Sequence, residues 1–459
     1  MREYPYWWDG VPAFRALCDE ALGATPRDLG RRDSGQHDSA HHDRDRLDRE
    51  QARVPSACDV AIIGAGYTGL AAARCLAAAG ASVLVLERER IGWGASSRNG
   101  GQVLTGLSLD SAALVAKYGE STAVRLYELS LEAIQSLEAL ITREAIECEY
   151  ETTGHLQAAW KPAHFDALRE EQALLARVFH HSVALVSRAE QRTEIGSSRY
   201  HGLLVDERSR GLHPARYVAG LADAARRAGA AVAEGVSVAR LTRRVDRWTV
   251  ETDRGTVEAR DVVVATNGYT DGSVPVLRRR LVPIGSYIIA TEPLDPALAQ
   301  ALLPRRRMAF DSKHFLYYFR VTADRRLVFG GRAEFSRPGP ESARRAADVL
   351  RRGMIDLFPE LAATRVDFAW GGSVAMTRDR MPHAGRLGGL FYAGGYCGHG
   401  IAMATYLGEV VAKRLGGEVA AHPLFDDTGR GFPGIPFYTG TPWFLPAAGV
   451  YYRLQDLLQ

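Results

Sequence analysis

The sequence predicts an α/β domain of buried parallel strands, interrupted by an α+β domain built on an antiparallel sheet. Three observations predict it. First, a glycine-rich turn joins a short apolar run to an alanine-rich one in "CDVAIIGAGYTGLAAARCLAAA" (58–79), the pattern of strand, turn and helix. Second, an amphipathic helix followed by strands recurs at 212–264. Third, "YIIATEPL" and "HFLYYFRVTADRRLVFGG" are aromatic and alternate in polarity, as strands of an antiparallel sheet do. The chain therefore crosses between the two domains more than once.

Composition sets the outer limits. A chain of 459 residues has room for two or three domains, and 46% hydrophobic with 24% charged residues is an ordinary globular balance. Lys and Arg number 57 against 54 Asp and Glu, so no net field argues for nucleic acid and partners must be sought in local sites. The cysteines, at 18, 58, 75, 148 and 397, are odd in number and form no CxxC pair. That fits a reducing compartment without disulfides or a zinc site, so a cytoplasmic location and no bound metal are expected. "MREYPYWWDG" lacks the basic and apolar regions of a secretory signal. The apolar stretch 60–86 contains Arg74 and four glycines, and reads as strand, helix and strand rather than a membrane span.

The elements follow in order. Residues 1–54 form an aromatic arm and a polar linker: Tyr4, Tyr6, Trp7 and Trp8 are expected to dock on the body, whereas 27–54 holds seven acids, seven bases and three histidines and buries little. His37, His41 and His42 beside Asp38 and Asp43 are read as solvated rather than as ligands. "CDVAIIGAG" is a buried strand, "YTGLAAARCLAAAG" a helix stopped by Gly80, and "ASVLVLER" a second buried strand. After the helix at 212–232, strands are expected at 236–241, 247–252 and 256–264. No repeat of solenoid length is present.

The glycines carry the first chemistry. Gly64 permits the tight turn, Gly66 lets backbone approach a pyrophosphate, and Gly69 lets helix and strand pack closely, so phosphates meet the helix N-terminus. Eighteen residues beyond Gly69, Glu87 ends the second strand and is placed to accept hydrogen bonds from a ribose diol. An acid there disfavours the 2′-phosphate of NADP and leaves NAD or FAD. The next loop, "RIGWGASSRNGGQV" (90–103), decides between them: Ser96, Ser97 and the amides of Asn99 to Gly101 suit a cofactor that extends past its own pyrophosphate, a flavin.

With "RDVVVATNGY" (260–269) and "LFYAGGYCGHGIAMATYLGEVVAKRL" (390–415), these blocks resemble the D-amino-acid oxidase superfamily of FAD enzymes over roughly residues 55–420. The resemblance is closest to its gamma-glutamylputrescine oxidase-like branch. It implies a Rossmann-like FAD-binding domain from 55–145, 210–280 and 360–425, a substrate domain from 146–209 and 281–359, and a separate aromatic tail at 426–459. It further implies that ADP is held by Gly64, Gly66, Tyr67, Thr68, Gly69, Glu87 and Arg88, and adenine by backbone at Val238. The ribityl chain and ring would pass Ser97, Arg98, Asn99, Gly100, Gly101 and Gln102, with Thr266, Asn267 and Gly268 closing over the cofactor. The turn from Gly395 through Gly398, His399 and Gly400 to Ile401 would aim a helix N-terminus at the pyrimidine edge, where reduced flavin carries negative charge. Cys397 and His399, two residues apart in that turn, are then incidental to its glycines.

The implied reaction is hydride transfer from the carbon beside an amine nitrogen to flavin N5, giving an imine that hydrolyses to aldehyde and amine, with hydrogen peroxide if oxygen is the acceptor. It needs an unprotonated amine and no obligatory protein base. Pocket candidates are Tyr287, Tyr317, Tyr318, Arg320, Trp370 and His399, with Phe315 and Phe319 beside the tyrosines and Arg332 as a second arginine. Where glycine oxidase-like enzymes carry a carboxylate-gripping arginine, "WGGSVAMTRDRMP" offers Ser373 and Val374, which favours secondary or glutamylated polyamine-like amines over α-amino acids. That stretch also lacks the flavin-tethering cysteine of sarcosine oxidases, so FAD is expected to be noncovalent, and "RLVFGG" lacks their oxygen-activating lysine, which leaves oxygen or a quinone as acceptor. The alternatives are an amino-acid or N-methyl amino-acid dehydrogenase passing electrons to a quinone, its aromatic tail at a membrane surface, and a flavin-retaining partner or tailoring subunit that is no enzyme.

Overall fold

Val60 to Ile63 and Val83 to Leu86 are apolar at every position, so both faces of these strands must be covered. In the structure, a computed structural model that describes residues 1–21, 54–331, 340–418, 422–426 and 431–445 with 447, 449 and 451 singly, both faces are. Ala57–Ile63 runs parallel between Val83–Glu87 and Gly255–Val264. Ala231–Glu234 extends the sheet in parallel on one side and Leu390–Gly394 on the other. Val60, Ile62, Val83 and Val85 point to one face, under the helices Tyr67–Ala78 and Ile401–Leu415. Ala61, Ile63, Leu84 and Leu86 point to the other, against an antiparallel ribbon of Val238–Arg243 and Trp248–Thr252 and the residues Val274, Leu277 and Leu281. Each buried aliphatic side chain contributes about 1.5–3 kcal/mol. The two helices approach closely: a Cβ on Gly408 of the second would meet the Thr68 carbonyl of the first at 2.4 Å and the Ala71 Cβ at 3.0 Å.

The second sheet has eight strands in the order Val366–Met376, Val282–Thr291, Leu327–Gly331, Tyr317–Val321, Met308–Asp311, His155–Ala158, Gly202–Asp206 and Ala184–Ser187. Every pairing is antiparallel except that of Met308–Asp311 with His155–Ala158. Tyr287, Ile289, Phe319, Phe329 and Ala369 point to one face and pack on Leu350, Met354 and Leu357 of the helix Pro340–Leu357. The opposite face turns towards the first sheet.

The segment 360–425, expected whole in the FAD domain, is divided. Val366–Met376 pairs along its length with Val282–Thr291 and is an edge of the substrate sheet, whereas Leu390–Gly394 joins the parallel one. Strand ends also shift: Val238–Arg243, Trp248–Thr252 and Gly255–Val264 replace 236–241, 247–252 and 256–264.

The aromatic arm docks. Tyr4, Trp7, Trp8 and Phe14 are buried, and Arg2 forms a β-bridge with Phe368 on the edge strand. Most of the polar linker, including its three histidines, lies outside the described residues, as does Arg332. In the tail, Phe432 stacks on His383 at 4.2 Å, while Phe437 and Trp443 are exposed. Among the described residues no helix is long and apolar enough to cross a membrane.

Candidate cofactor and substrate site

A cavity of about 1120 Å³ lies between the C-terminal ends of the parallel strands and the free face of the antiparallel sheet. Its nucleotide end is lined by Gly64, Gly66, Tyr67, Thr68, Glu87, Arg88 and Val238. Gly64 has φ +103°, which a side chain disfavours, and Gly66 lies where a Cβ would meet Ser96 Oγ at 2.9 Å. The Glu87 carboxylate accepts from the amides of Ala65 (2.8 Å) and Glu89 (3.0 Å), and burial pushes its pKa up. Asn267 ties the two remaining motifs together, its Oδ1 accepting from the Gly395 amide at 2.8 Å.

Along the middle stand Arg98, Asn99, Gly100, Gln102, Thr266, Asn267, Gly398, His399, Gly400 and Ile401. Several expected cofactor contacts stand behind this wall instead. A Cβ on Gly69 would fall 2.0 Å from the Gly64 carbonyl and one on Gly101 2.3 Å from the Leu212 carbonyl, so both are packing glycines. Gly395 backs onto Thr377 and Gly268 onto Ser373. Ser97 is fully buried, donating to the Gly92 carbonyl and accepting from Trp8, and it is Ser96 that reaches the cavity, its Oγ accepting from the Tyr67 amide at 3.0 Å.

The far end is formed by the free face of the antiparallel sheet. The two-residue period divides "LYYFRV": Tyr318 lines the cavity and its hydroxyl lies 3.0 Å from Ser286 Oγ, whereas Tyr317, Phe319 and Tyr287 point to the opposite face with the helix Pro340–Leu357. Tyr317 and Tyr287 are therefore removed as pocket residues. Arg320 is removed too: it is buried, paired with Glu151 at 2.9 Å, and donates to the Gly101 and Leu212 carbonyls. Trp370 is a core residue whose Nε1 donates to the Arg98 carbonyl at 3.0 Å. Of the six candidates, Tyr318 and His399 line the cavity. His383 is buried against Asp379 at 3.0 Å and is structural.

Residues unmarked in the sequence complete this wall: His155, Gln157, Asp206, Phe310, Asp311 and Lys313. Ser209 Oγ accepts from the Thr105 amide and lies 2.8 Å from His155 Nδ1; assigning the Ser209 proton to that bond places His155's own on Nε2. His155 lies nearly parallel to Phe310, with centroids 5.2 Å apart. Burial lowers its pKa to about 4, and burial with the neighbouring His155 and Arg380 does the same for His399, so both are neutral above that pH. Asp206 accepts from Thr105 Oγ1 (2.6 Å) and His181 (2.7 Å) and sits at about 2, its hydrogen bonds outweighing burial. Burial pushes Asp311 up to about 6 despite Lys313 at 3.3 Å. Lys313 lies against the rings of Trp160 and Tyr317 at 4.0 and 3.5 Å. Cys397 lines the cavity, but its Sγ–H donates to the Gly395 carbonyl at 3.1 Å and burial pushes its pKa up, so it is a thiol rather than a nucleophile.

An acid-ended glycine turn, a Ser- and Gly-rich loop and a helix N-terminus on one elongated cavity define a site for a dinucleotide longer than its own pyrophosphate. Residues 59–414 match the DAO family, FAD dependent oxidoreductase, and the chain belongs to it. It is 34% identical over 406 residues to gamma-glutamylputrescine oxidoreductase of Escherichia coli (strain K12), covering 87% of this chain and 93% of that one. The probable oxidoreductase OrdL of Rhizobium meliloti (strain 1021) is 33% identical, with 87% and 92% covered. Glycine oxidase from Geobacillus kaustophilus superposes with a TM-score of 0.70 at 20% identity, covering 83% of this chain and 99% of that one, and shares the fold. FAD fits the residues present: the glycine cradle excludes side chains where phosphates pass, and the buried Nδ1 of His399 has no hydrogen-bond partner among the described residues.

Proposed function

We propose that the protein oxidises a small amine, secondary or glutamylated and polyamine-like, with noncovalently held FAD. The observation that carries this reading is the wall opposite the flavin loop. Ser373 and Val374 line it where a carboxylate-gripping arginine would favour α-amino acids, beside the uncharged His155, Gln157, Ser286 and Tyr318, while the charged members of the wall are engaged: Asp206 with His181, Asp311 with Lys313, and Arg380 with the Ser108 carbonyl. Similarity to gamma-glutamylputrescine oxidoreductase supports the same class.

FAD would be held along the glycine turn and the loop from Ser96 to Gly100, and would supply the acceptor for a hydride from the carbon beside the amine nitrogen. The chain's part is to bind, orient and dry the substrate. His155 offers an N–H to an amide or carboxylate carbonyl of a glutamyl portion. Neutral His155 and His399 offer no negative charge to hold an ammonium, and Phe310, Leu316 and Tyr318 keep water from the amine, both of which favour its unprotonated form. No protein base is assigned. The described chain leaves its five cysteines free, which supports a cytoplasmic location.

The test is anaerobic mixing of the FAD-loaded protein with primary, secondary and glutamylated amines and with α-amino acids, followed by readmission of air. Bleaching by amines before amino acids is expected, and peroxide on readmission marks oxygen as acceptor. Bleaching by amino acids alone would overturn the reading.

A further inference from the structure

Three indoles from two separate parts of the chain donate to three consecutive residues of the flavin loop. Trp8 Nε1 donates to Ser97 Oγ at 2.7 Å, Trp370 Nε1 to the Arg98 carbonyl at 3.0 Å, and Trp7 Nε1 to the Asn99 carbonyl at 2.8 Å. Trp7 and Trp8 are 1% and 3% exposed, so water does not replace these bonds if they are lost. Both precede the residues matched to the family, 59–414.

What the indoles hold is a half-buried cation on the cavity wall. Arg98 donates from Nε to the Trp93 carbonyl at 2.7 Å and from Nη1 to the Gly371 carbonyl at 3.1 Å. Its guanidinium lies over the rings of Trp8 and Trp93, at 4.8 and 4.5 Å. Among the described residues no carboxylate pairs with it, and it lines the cavity. Ring faces and carbonyls stabilise a guanidinium without neutralising it, so its charge is available to an anionic ligand. The arm that brings Trp8 is fastened at its other end to the substrate sheet. Arg2 exchanges backbone hydrogen bonds with Asp367 (2.7 Å) and Ala369 (2.9 Å), and Tyr6 donates to Asp324 at 2.6 Å.

We propose that the N-terminal arm is a working part of the cofactor site, in which Trp8 is a positioning residue that, with Trp7 and Trp370, aims the Arg98 guanidinium at the flavin and favours its reduced, negatively charged form. The inference rests on the cofactor assignment alone. No amine enters its test, so its failure leaves the substrate reading untouched.

The experiment compares Trp8→Leu, which loses ring and donor, with Trp8→Phe, which keeps a ring over Arg98. FAD affinity, flavin midpoint potential and apoprotein unfolding are measured for each, and Arg98→Gln is made in both the native and the Trp8→Leu background. Trp8→Leu is expected to weaken reduced flavin about tenfold more than oxidised flavin, a fall of about 30 mV for a two-electron couple, and Trp8→Phe to restore most of it. Arg98→Gln should lower the potential in the native chain and change little once Trp8 is leucine. An unmoved potential in Trp8→Leu, or an Arg98→Gln effect that simply adds to it, overturns the proposal. If Trp8→Leu does not fold, Trp7→Phe decides: weakened FAD binding with a lowered potential supports the proposal, and both unchanged overturns it.

Discussion

Two glycines three residues apart should fail in different ways. A Cβ on Gly69 falls 2.0 Å from the Gly64 carbonyl oxygen, about 1 Å inside the closest approach a Cβ tolerates, and its neighbour on that side is backbone that cannot rotate away. The helix Tyr67–Ala78 must therefore withdraw from the strand Ala57–Ile63, carrying its N-terminus with it. Overpacking of this kind costs about 1–3 kcal/mol, and the gain from replacing a helical glycine by alanine, about 1 kcal/mol in a helix interior, is smaller in a first turn. A net loss of about 1–2 kcal/mol is expected for Gly69→Ala in the apoprotein, with FAD binding weakened as well. Gly66 differs: its φ of −91° suits alanine, and its Cβ meets only the Ser96 side chain at 2.9 Å, on the cavity wall. Gly66→Ala should leave apoprotein stability within about 0.5 kcal/mol, the usual range away from packing defects, and act on FAD affinity. Urea unfolding of both apoproteins, followed by fluorescence titration with FAD, measures the two effects separately. If Gly69→Ala unfolds at the native urea concentration, the helix does not approach the strand as described and the reasoning fails.

Further outcomes follow from the same walls. His155, His213 and His399 have pKa values lowered by burial to about 4, 3 and 4, against an ordinary 6.5 in the unfolded chain. The unfolded state then binds more protons below pH 6.5, so each costs about 1.4 kcal/mol of stability per pH unit as pH falls towards its folded value. Asp311, raised to about 6, works oppositely between about 6 and 3.8 and offsets one of them. Apoprotein urea midpoints should be flat above pH 7 and fall between 6.5 and 4; a midpoint that rises on acidification contradicts the burial of these rings. His155→Phe should raise KM for a glutamylated amine by about 3–10-fold, the worth of one hydrogen bond, while His155→Gln retains most of the native value. Equal KM values in all three would remove His155 from the site. Arg320→Met leaves Glu151 short of a partner and takes the Arg320 donor from the buried Leu212 carbonyl, while the Gly101 carbonyl keeps the Leu212 amide, so a loss of about 3–5 kcal/mol in unfolding free energy is expected. Acid precipitation should leave all flavin in the supernatant, and a yellow pellet would show a covalent bond.

The parallel sheet and its nucleotide turn were legible because their causes are local. Gly64, Gly66, Gly69 and Glu87 stand within one strand-turn-helix-strand unit, in which Gly64 takes a positive φ, Gly69 packs helix on turn and Glu87 accepts from the Ala65 amide. The wall opposite the parallel sheet was not legible, because strand pairing that is remote in sequence decides which side of "LYYFRV" faces the cavity. Tyr317 and Tyr318 are chemically alike, and the helix Pro340–Leu357, beyond the strand in sequence, selects which of them is core. Arg320 was misread for the same reason: its partner Glu151 lies 169 positions away. His155 gave no signal at all, since "GHLQAAW" reads as an ordinary strand and its partner Ser209 comes from the turn after the strand Gly202–Asp206, 54 residues on. The two-residue period of the sheet did mark that Tyr317 and Tyr318 must part company. It could not say which way.

The charges around the cavity are arranged unevenly, and on the proposed reading this bears on the substrate. Near Tyr318 the wall's carboxylates are already engaged: Asp206 by His181, Thr105 and the Arg208 amide, and Asp311 by Lys313 and the Tyr317 amide. An ammonium gains little there, and a free amine loses little. At the end formed by the helix Pro162–Val178, Asp110, Glu170 and Glu171 line the cavity, and burial raises the pKa of Glu171, so it would gain from a nearby cation. A substrate with an uncharged nitrogen at one end and a cation several bonds away would satisfy both ends at once. A diamine derivative has that form and a simple α-amino acid does not, because its ammonium and carboxylate lie too close together to be treated separately.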